Sequence, residues 1–239
     1  MFNLKNFIIN NFYLYKSYIK VKLFFDSNKI ISKKKIARLI QKEPMIIEIG
    51  AHVGSDTVEM SVLWPKGKIY AFEPIKNIFD RLKFKTNKFK NIEIIQAAII
   101  DKNDTNKAQM YLSDSSDCSS SLLKPKDHLL YFPEVSFLEK TIAIDTIVLG
   151  DWLDQKKIKS IDLIWIDVQG MELNIFESLG EKINMVECIY TEVSIKEFYE
   201  GSRSYDEIKK YLANYGFILV ADDLVEGQLM GNALFKKNK

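Results

Sequence analysis

The pattern of this 239-residue chain predicts an α/β fold: a doubly wound, mostly parallel seven-stranded sheet whose last strand runs antiparallel, preceded by a helical extension. Three observations lead there. From Met45 onward, short apolar runs alternate with longer amphipathic segments, the pattern of strand–helix crossovers. The first run closes on Gly50 and Gly54, which bracket a tight turn into a helix. Near the C-terminus two apolar runs flank Asp222-Asp223, so the final strand folds back as a hairpin.

In chain order, residues 1–44 form a basic, aromatic extension, distinct from a main domain at 45–239. Ten Lys or Arg face two acids in the extension, and eight aromatics crowd its first 25 residues. Leu4, Ile8, Phe12, Tyr15, Ile19 and Leu23 recur every three or four residues, which makes a helical apolar stripe. Other aromatics fall off that stripe, so this helix has more than one surface to cover. Ser32 is placed to cap a second basic helix reaching about Lys42. Strands are expected near 45–50, 68–73, 92–98, 161–166, 186–192, 215–221 and 229–236. Helices are expected near 55–63, 75–87, 171–183 and 203–214. Between 99 and 150 the alternation breaks: two short strands, 108–112 and 140–147, surround the Ser-rich loop 113–121. An insertion of this length is usually a lid or a binding loop.

Composition excludes several classes. Hydrophobic content of 47% and charged content of 28% are ordinary for a globular protein. Cys118 and Cys188 stand in no metal-ligand spacing and call for no oxidising compartment. Asn10, Asn11, Lys16, Lys20 and Lys22 interrupt the apolar N-terminus, leaving neither a leader h-region nor a membrane span. A cytoplasmic placement is therefore the default. The net charge of +2 conceals +8 in the extension, so the main domain is acidic. Only Arg38, Arg81 and Arg203 are arginine, the side chain that reads bases and phosphates bidentately. Nucleic acid is not an expected partner. The basic, aromatic residues 1–42 point instead to helices that hold the protein peripherally on an anionic membrane face, or that cover the domain or make a dimer contact.

The richest stretch is Ile46-Ile-Glu-Ile-Gly-Ala-His-Val-Gly-Ser-Asp-Thr57, followed by Ala71-Phe-Glu-Pro74. Glycines let a ligand approach the backbone, and the helix behind them offers unpaired N–H groups. Glu73, closing the next strand, is placed to accept both hydroxyls of a ribose. The middle glycine of a dinucleotide fingerprint is replaced by His52, and no P-loop run occurs. A ribose acid without a pyrophosphate cradle suits S-adenosylmethionine. Its expected contacts are Glu48, Gly50, Ala51, His52, Gly54, Glu73, Pro74 and Ala98.

Ligands of open α/β sheets bind outside the carboxyl ends of the strands. Asp167 ends the strand at 161–166, and Glu192 ends the one at 186–192, so both are expected beside Glu73. Asp167 is a candidate catalytic carboxylate; alternatively Asp167 and Glu192 hold a divalent metal. His128, in the insertion, is a second candidate base. Its pKa near 6.5 suits proton removal better than an ordinary aspartate near 3.9.

Together these residues resemble the FkbM family of methyltransferases over about residues 45–236. The stretches that carry the resemblance are 48–57, 71–74, Ser119-Ser-Ser-Leu122, Trp165-Ile-Asp-Val-Gln-Gly-Met-Glu-Leu173 and Ile189-Tyr-Thr-Glu-Val-Ser194. The resemblance implies a class I, Rossmann-like methyltransferase fold and S-adenosylmethionine as methyl donor. It also implies a sugar hydroxyl, in a surface glycan or a glycosylated metabolite, as acceptor. Many relatives carry Glu where this chain has Gln169. Two alternatives stay open at this point: a nicotinamide-dependent oxidoreductase on a related fold, and a non-catalytic cofactor-binding or membrane-associated protein. Oligomeric state is not legible.

Overall fold

The computed structural model describes residues 12–26, 29–101 and 107–238. Seven strands form the main sheet: β1 (Met45–Ile49), β2 (Lys68–Phe72), β3 (Ile92–Ile95), β7 (Ile161–Ile166), β8 (Val186–Ser194), β9 (Phe217–Asp222) and β10 (Met230–Lys237). Their order is β3-β2-β1-β7-β8-β10-β9. β1, β2, β3, β7 and β8 pair in parallel, whereas β10 runs antiparallel to both of its neighbours. The expected class I, Rossmann-like sheet with its inverted last strand is therefore what forms.

Period-2 alternation decides what each face of the sheet buries. Ile46, Ile69, Leu163 and Leu234 lie on one face, with Ile36 of helix α2 (Lys33–Ile36) and Met60 of α3 (Ser55–Leu63). Ile47, Ile49, Ile164, Ile166 and Ile189 lie on the other. They pack against α6 (Leu149–Lys156), α7 (Glu172–Leu179) and α8 (Tyr205–Asn214). α8 opens on a capping box in which Ser204 and Glu207 satisfy each other's backbone N–H groups. α4 (Lys76–Thr86) follows β2.

The expected strand at 92–98 is divided. After β3 the chain leaves the main sheet, and β4 (Ala98–Ile100) pairs with β6 (Ile142–Val148) in a small sheet of order β4-β6-β5. β5 is Lys107–Met110. Helix α6 falls at the end of the expected insertion, where no helix was foreseen. It lacks a side-chain cap, and its Gly150 carries the contact with α7: a Cβ there would sit 2.9 Å from the Ser178 carbonyl oxygen. Segment 171–183 is helical only to Leu179, then tightens into a 3₁₀ turn at Gly180–Met185.

Within the extension, α1 (Phe12–Phe25) buries Tyr15, Ile19 and Leu23 against Val58, Val62 and Phe89. The predicted stripe is thus a docking face from Phe12 onward; Leu4 and Ile8 lie outside the described residues. The second basic helix is shorter than expected. Ser32 caps it as foreseen, accepting from the Lys35 N–H, but only four residues are helical. Three successive lysines in so short a helix repel one another, and Lys33 is held by tertiary contacts instead. Its ammonium pairs with Asp56 and with Glu59 (2.8 Å), and lies over the Trp165 ring. Lys22 reaches the same buried Glu59. Two of the extension's lysines therefore answer acids of α3.

Candidate active site

Three strand tips meet because Gly50 has no side chain. Its φ is +84°, and a Cβ there would stand 1.8 Å from the Asp167 carbonyl oxygen. The Gly50 and Ala51 N–H groups donate to the Phe72 carbonyl at 3.1 and 2.9 Å. The Asp167 N–H donates to the Ile49 carbonyl at 3.0 Å. These bonds tie the ends of β1, β2 and β7 around one cleft. Its walls include Gly50, Ala51, His52, Glu73, Pro74, Ala98 and Asp167, all singled out in the sequence.

Glu73 is buried and holds two turns together. Its Oε1 accepts the Ile75 N–H at 2.8 Å and its Oε2 accepts the His52 N–H at 3.0 Å. Burial pushes this carboxyl up to about 7, although both N–H groups oppose the shift. Each oxygen keeps acceptor capacity for a ligand hydroxyl. Beyond Glu73 the cleft is apolar, lined by Ile75, Ile78, Met110 and Leu122 beside Ala98. That floor suits the flat face of an adenine. Four of these five side chains escaped the sequence reading, since nothing local to 75–122 says that β4, β5 and α4 converge.

Two expected contacts are placed elsewhere. Glu48 lies under α3 and is 1% exposed, which pushes its carboxyl up to about 8. Gly54 starts α3 with φ +78°, and a Cβ there would meet Leu82 of α4 at 2.5 Å. Its need for glycine is helix packing and a left-handed turn. Neither residue lines the cleft.

Asp167 is recessed in the cleft yet open through its mouth, and the recess raises its pKa. The Gln169 amide nitrogen donates both to Asp167 Oδ1 (3.1 Å) and to Glu192 Oε2 (2.8 Å). An amide has the two donors needed to bridge two carboxylates, which an ionised Glu would lack. Gln169 keeps a left-handed backbone, φ +56°, and its Oε1 accepts from the Tyr199 hydroxyl at 3.1 Å. Burial, then Asp167 and Glu172, raise Glu192 as well. Gln169 thus ties the Asp167 and Glu192 carboxylates into one hydrogen-bonded group.

His128 is not brought into this group. It is 4% exposed, among the rings of Phe132, Phe137, Phe198 and Tyr199. Burial lowers its pKa, and its aromatic surroundings, built by segments some 70 residues apart in sequence, make it a packing residue. The expected lid base is thus corrected: Asp167, not His128, stands at the cleft.

Comparison with known proteins agrees with this geometry. The family model described as Methyltransferase FkbM domain matches residues 48–219. The 2-O-methyltransferase NoeI of Sinorhizobium fredii (strain NBRC 101917 / NGR234) is 31% identical over 202 residues, covering 82% of this chain and 83% of that protein. In fold the chain is similar to the methyltransferase FkbM of Methylobacillus flagellatus KT, with a TM-score of 0.51 and 12% identity, covering 84% of this chain and 45% of that one. An rRNA methylase from Streptococcus thermophilus has the same TM-score of 0.51 at 12% identity, covering 89% and 99% of the two chains. A cleft with a buried Glu73 and an apolar floor, and a sheet with an inverted last strand, thus coincide with a family match over most of the main domain, and the chain belongs to the FkbM family of S-adenosylmethionine-dependent methyltransferases.

Proposed function

We propose that this enzyme methylates a hydroxyl of a sugar, in a surface glycan or a glycosylated metabolite. The observation that carries this reading is Asp167 at the mouth of the cleft, its carboxylate linked to Glu192 through the Gln169 amide, so that a hydroxyl presented there meets an acceptor. Carboxylates accept hydrogen bonds from sugar hydroxyls. The 2-O-methyltransferase activity in the name of the 31% identical relative supports an oxygen acceptor.

S-adenosylmethionine, when bound, supplies an electrophilic methyl group on a sulfonium. Glu73 would hold its ribose, and Ile75, Ile78, Ala98, Met110 and Leu122 its adenine. Asp167 takes the proton from the acceptor hydroxyl. Its raised pKa makes it a stronger base than an ordinary aspartate, and Gln169 fixes its orientation. Holding the acceptor in line contributes about 7–11 kcal/mol to such reactions. Incubation with S-adenosylmethionine labelled in the methyl group and a panel of glycan precursors tests the acceptor class. Label recovered as a sugar methyl ether is the expected result; label on an amine or on nucleic acid overturns it.

A lipid-linked acceptor would explain the outer face of α1. Tyr13, Tyr18, Val21, Phe24 and Phe25 are exposed there beside exposed Lys20, opposite the docked stripe. Among the described residues no helix is long and apolar enough to cross a membrane. Peripheral contact with an anionic bilayer is the reading we favour, each lysine near such a surface adding about 1 kcal/mol. Flotation with phosphatidylserine vesicles should carry the wild-type chain upward, and Tyr18→Ser/Phe24→Ser/Phe25→Ser should remain below. Equal behaviour of the two would end the membrane reading without disturbing the fold, because Tyr15, Ile19 and Leu23 are untouched.

A further inference from the structure

At the rim of the cleft, two segments 65 residues apart in sequence converge on three donors of metal-ligating type. His52 Nε2 stands 3.0 Å from Asp117 Oδ1. Cys118 Sγ is 3.8 Å from His52 Nε2 and 3.8 Å from Asp117 Oδ1. A tetrahedral zinc ion with bonds of about 2.0–2.3 Å requires ligand-to-ligand edges of roughly 3.3–3.7 Å. All three edges fall within a few tenths of an ångström of that triangle; Cys118 Sγ also stands 3.9 Å from His52 Nδ1, so the cysteine side chain turns toward the Nε2 side to complete it. This is the single group of three or more such side chains, among the described residues, whose ligand atoms come so close.

The surroundings keep the triangle available. Arg81 donates to Asp117 Oδ2 at 2.9 Å, which orients the carboxylate and leaves Oδ1 turned to His52. His52 is held in a left-handed backbone conformation, φ +49°, with its N–H bonded to Glu73. Positive φ is uncommon for a non-glycine residue, and histidine is among those that adopt it. All three donors also line the cofactor cleft.

We propose that His52, Asp117 and Cys118 bind a divalent cation of the zinc class at the mouth of the cofactor cleft. Thiolate, imidazole and carboxylate are a donor set that zinc and cobalt accept and magnesium does not favour. Binding displaces the Cys118 thiol proton to solvent, so one thiolate and one carboxylate balance the two positive charges. The fourth position stays open to water. The ion fastens the Ser-rich segment 113–121 onto the turn that carries His52, and so narrows the way in and out. This gating role rests on the cleft being the cofactor site; the cation site itself does not.

Cobalt(II) gives the test, because a thiolate–cobalt bond has its own near-ultraviolet charge-transfer band. Cys118 is exposed and Cys188 is buried in the sheet, so a band in the intact apo chain reports on Cys118. Titration with cobalt should raise that band with tetrahedral visible absorption, and zinc should displace it. Cys118→Ser should abolish the band, and His52→Asn should weaken zinc binding more than about tenfold, since loss of even a group that only supports a ligand costs about 10- to 100-fold. Absence of the band, or equal zinc affinity in wild type and both variants, would overturn the site. Release of S-adenosylhomocysteine should be slower with zinc in wild type and unchanged by zinc in Cys118→Ser. If zinc leaves release unchanged in wild type while the cobalt band forms, the gating role is overturned and the site stands. If S-adenosylhomocysteine does not bind at all, the cofactor assignment fails and the cobalt result is unaffected.

Discussion

Asp167→Asn is expected to lower kcat by about 10²–10⁴, the range contributed by a positioned general base, while leaving S-adenosylhomocysteine affinity within a few-fold. The substitution keeps the shape of the side chain and removes its ability to take a proton. Geometry supports the split. The Asp167 backbone is fixed by its bond to the Ile49 carbonyl and by the contact over Gly50, neither of which depends on the carboxylate. Glu192 is the control. It shares the Gln169 amide, so Glu192→Gln should disturb the orientation of Asp167 and shift the pH profile rather than remove the base. Steady-state kinetics at saturating cofactor gives the answer. A loss below about tenfold for Asp167→Asn would take this residue out of proton transfer.

Glu73→Ala should weaken S-adenosylhomocysteine binding by about 1–3 kcal/mol, the scale of hydrogen bonds to a charged group, or roughly 5- to 150-fold. The same carboxyl sets a pH dependence. Burial holds it up to about 7, so below that pH the free protein carries it largely protonated. Ribose hydroxyls donate to the ionised form, and binding therefore releases a proton. Affinity should fall as pH drops below 7, by at most about tenfold per unit. Stability of the free protein runs the other way. Between the unfolded value near 4.5 and the folded value of about 7, the native state holds more protons, so stability declines as pH rises through that window. Glu172, about 7, and Glu48, about 8, add to the stability trend in the same sense, but neither lines the cofactor cleft. Glu73→Gln should flatten the affinity curve and leave most of the stability trend, as calorimetry and thermal melts across pH 5.5–8.5 would show.

Much of this was legible in the residues. Short apolar runs alternating with amphipathic segments located all seven strands of the main sheet, and the tip rule placed Glu73 and Asp167 in one cleft. What failed depended on contacts between distant segments. Gly54 and Gly50 look alike in the chain, yet one is needed for α4 and the other for the Asp167 carbonyl. His128 reads as a free loop histidine until Phe198 and Tyr199 arrive from beyond β8. Helix α6 has no cap to announce it and is held through Trp152 and Leu153 in the core. The convergence of His52 with Asp117 and Cys118 has no local signal, because only the folded insertion brings them together. Gln169 was noticed for the charge it lacks; its two amide donors explain why an amide serves there.

The most direct measurement is calorimetric titration of the wild-type chain with S-adenosylhomocysteine and, separately, with NAD. A cleft with a ribose acid, an adenine-sized apolar floor and His52 in place of a pyrophosphate-facing glycine should bind S-adenosylhomocysteine and give no heat with NAD. Tight NAD binding with no response to S-adenosylhomocysteine would contradict the assignment of Glu73 and of the cleft around it.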